Sequence, residues 1–380
     1  MTATVAPAAL HAMLLDGAEL ALLDVREEGR FFHAHLLWAV NLPLSRLELK
    51  LADLVPRRDV RIVLCDDGDG LSERAAARLN ALGWGDTTIL EGGVPGWGAA
   101  GLEVFSGMNV PTKAFGEFVE HEYHTPSVSA EELKAMMDSG EKLVVLDSRP
   151  MDEYEVMNIP SGVCCPGAEL VYRVGEVVAS PDTTVVVNCA GRTRSIIGAQ
   201  SLINAGIPNK VVALRNGTMG WHLAGLNLET GNRRHAPAPS GSTLSQAQKA
   251  AAAVAARFGV ETIDAEGLSA WERDPTRTTF LLDVRSPEEY AAAGRAAGPG
   301  DRPLCRRAQR APRPGRRQRR ARDDDGALAG ADRLGGARAG GRSSVFRPRQ
   351  RPAAAAGVLA AAPRRGARPA RRHRHHHSHR

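Results

Sequence analysis

The chain has 380 residues, room for two or three domains, and its formal charge of +6 joins two unlike parts. Residues 291–380 carry 24 Arg and 5 Asp with no Lys or Glu, a formal +19, which leaves −13 on residues 1–290. The basic balance belongs to the tail, and the acidic remainder carries no basic stripe of the kind that binds nucleic acid.

Taken in chain order, an apolar run at 20–23 reads as a strand and ends in Asp24-Val25-Arg26. A second strand follows at 61–64, then a helix at 72–81 and a short strand at 87–90, closed by Gly92-Gly93-Val94-Pro95-Gly96-Trp97. A Gly/Pro-containing connector spans 106–126. The same order then returns. A strand at 143–146 ends in Asp147-Ser148-Arg149, a strand lies at 185–187, a helix at 195–205 and a strand at 211–214, and Gly217-Thr218-Met219-Gly220-Trp221 stands 124 residues after its first copy. A Pro/Ser/Gly-rich linker covers 231–242 and an Ala-rich helix 244–258. The Asp-x-Arg phrase recurs once more as Asp283-Val284-Arg285 after a strand-like run at 280–282. Strands alternating with helices predict parallel sheets covered by helices, and a period of this length makes each unit a domain. The boundaries are 6–104, 127–230 and a truncated third unit at 263–290.

The chemistry concentrates in Val185-Val186-Val187-Asn188-Cys189-Ala190-Gly191-Arg192-Thr193-Arg194-Ser195. A thiol between a buried strand and a helix N-terminus sits where the helix dipole and unpaired N–H groups favour a thiolate. Arg192 and Arg194 add positive charge, so Cys189 reads as a nucleophile aimed at an anionic substrate. The plainer reading, a small buried hydrophobe after a strand, fits Cys164 and Cys165 better. Trp221, with Gly217 and Gly220, reads as a tight turn and a packing anchor, and Ser195 suits a helix N-cap as well as it suits the site.

These phrases resemble the rhodanese family, small α/β sulfurtransferase domains with a central parallel sheet flanked by helices. Cys189 to Arg194 fits the family's six-residue active-site loop without a gap, and the resemblance covers residues 6–290. It implies a tandem multi-domain sulfurtransferase. Cys189 would take the outer sulfur of thiosulfate, or a similar donor, as a persulfide and pass it to cyanide or a thiol. The loop N–H groups from Ala190 through Gly191, Arg192, Thr193 and Arg194 to Ser195 would cradle the negative sulfur. Arg192 and Arg194 would orient the sulfonate, and Asp147 and Arg149 would order the loops behind the cysteine. No metal or organic cofactor is implied. The partners are a small anionic donor and a thiophilic acceptor, with no membrane. Nucleic acid enters only through the tail. A non-catalytic scaffold or sensor is the alternative. A cysteine phosphatase or arsenate reductase is disfavoured, because Cys189 and Arg194 stand in Cys-x4-Arg rather than Cys-x5-Arg spacing.

The first unit departs from the pattern. Counted from Pro43, Asp66 matches Cys189; counted back from Trp97, Cys65 does. Either Asp replaces the nucleophile or Cys65 heads a longer loop. In both cases Asp66, Asp67 and Asp69 line a loop that should hold an anion, so this unit reads as catalytically silent.

No apolar run approaches the ~20 residues of a membrane span, and residues 1–15 lack a signal-peptide pattern. The five cysteines, Cys305 included, are too few for a disulfide scaffold. Free thiols predict a cytoplasmic setting. Of residues 291–380, 66 are Ala, Arg, Gly or Pro, a composition that predicts disorder. The joint loss of eight residue types there reads as a shifted frame of GC-rich DNA, with a genuine basic arm as the rival.

Overall fold

The computed structural model describes residues 2–178, 180–285 and 289–292. The first unit runs β1 (Ala3–Val5), α1 (Pro7–Met13), β2 (Leu20–Asp24), α2 (Glu28–His33), β3 (Val40–Asn41), α3 (Leu47–Leu54), β4 (Arg61–Cys65), α4 (Leu71–Ala81), β5 (Thr87–Leu90) and α5 (Gly93–Ala99). A helix, α6 (Val110–Tyr123), leads to the second unit. That unit runs β6 (Ser127–Val128), α7 (Ala130–Asp138), β7 (Leu143–Asp147), α8 (Met151–Val156), β8 (Val163–Cys164), α9 (Leu170–Val177), β9 (Thr184–Asn188), α10 (Thr193–Asn204), β10 (Val211–Leu214) and α11 (Gly217–Leu223). Two further helices follow, α12 (Gly241–Phe258) and α13 (Ala265–Arg273).

Each unit is one five-stranded sheet with every pairing parallel, ordered β1-β5-β4-β2-β3 and β6-β10-β9-β7-β8. A parallel sheet needs both faces covered, so its central strand is apolar throughout. All five residues of β9 are buried. Val185 and Val187 face one core with Ile196, Ala199 and Leu202 of α10, while Val186 faces the other with Leu133 and Trp221. The first unit alternates in the same way, Ile62 and Leu64 on one face, Val63 and Cys65 on the other. Each buried Val, Leu or Ile contributes about 1.5–3 kcal/mol. Helix α10 lies close to the sheet because Gly198 has no side chain; a Cβ there would come within 2.6 Å of Leu170 Cδ1 and 3.0 Å of Val187 Cγ1.

Three expectations need correction. The connector at 106–126 holds α6, whose Pro111 sits in the first turn, where the missing N–H costs nothing. The helix expected at 244–258 begins at Gly241 behind a Ser240 capping box. The strand expected at 280–282 is absent: Phe280 and Val284 are 59% and 96% exposed, though Arg285 still pairs with Asp283. A single strand without neighbours has no ladder to join. The disordered tail expected over 291–380 lies, from residue 293 on, outside the described residues, as does Cys305. Among the described residues no helix is long and apolar enough to cross a membrane.

Candidate active site

In the second unit the chain leaves β7 for β8 on one side and returns to β9 on the other, so the switch of direction falls between β7 and β9. The carboxyl ends of strands at such a switch are where open α/β sheets place ligands. Asp147 and Asn188 end these two strands in register, and Cys189 follows directly. Cys189 is buried at 2% exposure at the floor of the loop.

The loop is held from below. Gly217 begins α11 with φ +53°, and a Cβ there would lie 2.3 Å from the Cys189 carbonyl oxygen and 2.5 Å from that of Gly191. The N–H of Thr218 donates to the Cys189 carbonyl at 2.8 Å, and that of Met219 to Ala190 at 3.0 Å. The Gly-Trp phrase thus starts a helix beneath the loop, and Trp221 anchors it, buried, with Nε1 donating to the Asn227 carbonyl.

Above the sulfur stands the N-terminus of α10. Its first backbone bond runs from Ile196 N–H to the Arg192 carbonyl, and no side chain caps it. The N–H groups of Thr193, Arg194 and Ser195 therefore lie ahead of the hydrogen-bonded turns, with the positive end of the helix dipole. Ser195 does not cap the helix; its buried hydroxyl donates to Cys189 Sγ at 3.0 Å.

Asp147 and Arg149 form a buried pair, Nε and Nη2 donating to the carboxylate at 2.8 and 2.6 Å. Nη2 also reaches the Met157 carbonyl at 2.7 Å. This ties α8 to the strand ends. Asn188 joins the network, its Nδ2 donating to Asp147 at 2.9 Å and to Thr218 Oγ1 at 3.0 Å. Sequence reasoning passed over Asn188 and Thr218. Their signal was positional: each directly adjoins a motif residue, and the first unit has Cys65 and Val94 in those places.

Both loop arginines have carboxylate partners. Arg194 makes a two-pronged pair with Glu153 of α8, at 2.9 and 2.7 Å. That pair holds Glu153 below the usual carboxylate range. Arg192 pairs with Glu117 at 3.1 Å and with Glu120, both on α6. Each guanidinium expected to orient a sulfonate is therefore already engaged by a carboxylate.

The first unit resolves its own ambiguity. Cys65 pairs with Asp24 in the sheet as Asn188 pairs with Asp147, so Cys65 belongs to the strand. Asp66 takes the place of Cys189: its carbonyl accepts from Val94 N–H as that of Cys189 does from Thr218. Ser72 follows Asp66 at the same spacing as Ser195 follows Cys189, and the difference in count lies between helix and strand, five residues after α4 against six after α10. The carboxylate of Asp66 accepts from the N–H of Gly68 at 2.9 Å and of Ser72 at 2.8 Å. Asp67 is bound by Arg26 at 2.7 Å and by Arg30 at 2.9 and 2.7 Å. Burial raises the Asp67 carboxyl, but these bonds outweigh it and hold it below the ordinary value.

Among the described residues the other thiols have no comparable setting. Burial, then the Asp24 charge, pushes Cys65 well above the ordinary thiol range, and burial pushes Cys164 up to about 11 and Cys165 up to about 12. Among the described residues no group of three or more His, Cys, Asp or Glu could hold a metal ion.

Comparison with known proteins follows these contours. The rhodanese-like domain profile matches residues 6–100 and 129–224. The crystal structure of a thiosulfate sulfurtransferase from Pseudomonas aeruginosa is similar at 56% identity with a TM-score of 0.73, covering 76% of this chain and 55% of that one. A sulfurtransferase of Allochromatium vinosum is 27% identical over 95 residues, 25% of this chain and 87% of that protein. The HTH-type transcriptional regulator Rv0324 of Mycobacterium tuberculosis is 30% identical over 105 residues, 28% of this chain and 45% of that protein. The chain thus spans about half the length of the Pseudomonas and Mycobacterium proteins it matches. With two matched domains, each on its own parallel sheet, the chain belongs to the rhodanese-like domain family.

Proposed function

We propose that the chain is a sulfurtransferase that works through Cys189 of the second unit. The Cys189 thiolate attacks the outer sulfur of thiosulfate or a similar donor. A Cys189–S–S⁻ persulfide forms, the donor S–S bond breaks, and sulfite leaves with that bond's electron pair. Cyanide or a thiol then attacks the outer persulfide sulfur and returns the thiolate.

The observation that carries this reading is the placement of Cys189 between the end of β9 and the open N-terminus of α10, with Ser195 donating to the sulfur. Donors fixed in advance around a site of developing negative charge lower the barrier without reorganising. Deep burial of Cys189 favours a donor with a small reactive end. The family resemblance and the likeness to a thiosulfate sulfurtransferase point the same way. The free buried thiols suit a reducing cytoplasm.

The test is thiocyanate formation from thiosulfate and cyanide by the full chain. Cys189→Ser is expected to lower it by on the order of a thousandfold or more, since the hydroxyl is a far weaker nucleophile than the thiolate. Cys65→Ser is expected to leave it within about twofold, a surface-distant change in the other unit. Retained activity in the Cys189 variant would refute the assignment.

A further inference from the structure

The ring of charge around the Cys189 loop has more carboxylates than guanidiniums. Arg194 is paired by Glu153, and Arg192 by Glu117 and Glu120. Two positive charges thus stand against three negative ones. The carboxylates come from two elements that grip the loop. Helix α8 is tied to the strand ends through Arg149. Helix α6 lies so close that a Cβ on Gly116 would come within 2.7 Å of Thr193 Cγ2. All five charged groups are partly exposed, so they act on an approaching ion through the field at the mouth rather than as buried contacts.

A second observation concerns the position four residues after the Asp-x-Arg arginine. In the second unit it is Glu153, facing a loop with two arginines; in the first it is Arg30, facing a loop with three aspartates. Loop and helix charges invert together. The helix position supplies a counter-charge to whatever the loop carries.

Resting on the reading of Cys189 as the sulfur acceptor, we propose that Glu153, supported by Glu117 and Glu120, is a charge filter that favours monoanionic sulfane-sulfur donors over dianionic thiosulfate. Engaged guanidiniums offer little net attraction to a sulfonate, and the surplus carboxylate opposes a second negative charge. Coulomb energy scales with the charge of the donor, so a dianion meets about twice the opposition that a monoanion does. Methanethiosulfonate is the matching probe. It delivers the same sulfur with one charge fewer and leaves as methanesulfinate: the thiolate gains the sulfur and the donor's sulfur–sulfur bond supplies the leaving electron pair.

The experiment measures kcat/KM with each donor for the full chain and for Glu153→Gln and Glu120→Gln, at low and high salt. The expected result is a gain for Glu153→Gln of about fivefold with thiosulfate and about twofold with methanethiosulfonate, both shrinking as salt rises. Glu120→Gln is expected to move both donors the same way by less, because Glu117 still pairs Arg192. Equal gains for the two donors would overturn the filter, and a loss with thiosulfate would overturn it and make Glu153 a residue that positions Arg194 for binding. If the unaltered chain transfers sulfur from neither donor, the sulfurtransferase reading itself fails and the filter falls with it.

Discussion

In the second unit the central strand runs into Cys189 and then into a helix whose first N–H groups have no side-chain cap. In the first, the equivalent strand runs into Asp66, whose carboxylate takes the N–H groups of Gly68 and Ser72. The two loops share the spacing to a buried serine, their sheet position and the glycine beneath them. They differ in whether the cradle is open or filled by the chain itself. A carboxylate at a helix N-terminus satisfies donors and dipole together, so in the first unit the chain's own Asp66 takes N–H groups at the helix start. Ser195 and Ser72 mark the same divide: Ser195 reaches the sulfur, whereas Ser72 Oγ, among the described residues, is buried without a partner.

The sharpest way to break this comparison is to disturb both loops identically. A Cβ on Gly217 would meet the Cys189 carbonyl oxygen at 2.3 Å, and one on Gly93 would meet that of Asp66 at the same distance. Gly217→Ala and Gly93→Ala are each expected to cost about 2 kcal/mol in denaturant unfolding, from a non-glycine residue at positive φ pressed on backbone. Only Gly217→Ala should also abolish most sulfur transfer. Loss of activity in both would mean that the two units act together.

Removing the plug has a smaller effect. Asp66→Ala takes an N-terminal acceptor from α4 and is expected to cost about 1 kcal/mol, with transfer activity unchanged. A rise in activity would assign chemistry to the first unit.

The smallest effect is a pH dependence. Asp67 ionises below its unfolded value, so its contribution to stability is complete above the unfolded pKa of about 3.9 and is lost as pH falls through the lower folded value. Asp67→Asn should therefore flatten the acid limb of unfolding below about pH 4, read by circular dichroism against pH.

Much of this was legible in the chain. Continuous apolar runs made β4 and β9 plain, and the Asp-x-Arg and Gly-Trp phrases bracketed the loop. The register of the first unit was not legible, because one residue fewer between α4 and β5 shifted the count from Trp97, and loop length leaves no mark in a pattern of apolar residues. Helix α6 was hidden by Pro111 and Gly116, both of which have positional reasons there: an early turn and close contact with Thr193. The pairing of Arg192 and Arg194 with Glu120 and Glu153 was invisible for a simpler reason. Ion pairs across 41 to 72 residues depend on how helices dock, not on local sequence. The strand expected at 280–282 shows the converse, since a strand-like run needs partners that local propensity does not supply.

The central claim is that sulfur rests on Cys189 and on no other thiol. The direct measurement is mass spectrometry of the full chain after brief exposure to thiosulfate, followed by trapping with an alkylating reagent and peptide mapping. The account predicts one added sulfur atom on the peptide containing Cys189, removed by cyanide, with the peptides of Cys65 and of Cys164 and Cys165 unchanged. An added sulfur on Cys65, or none on Cys189 while thiocyanate forms, would contradict it.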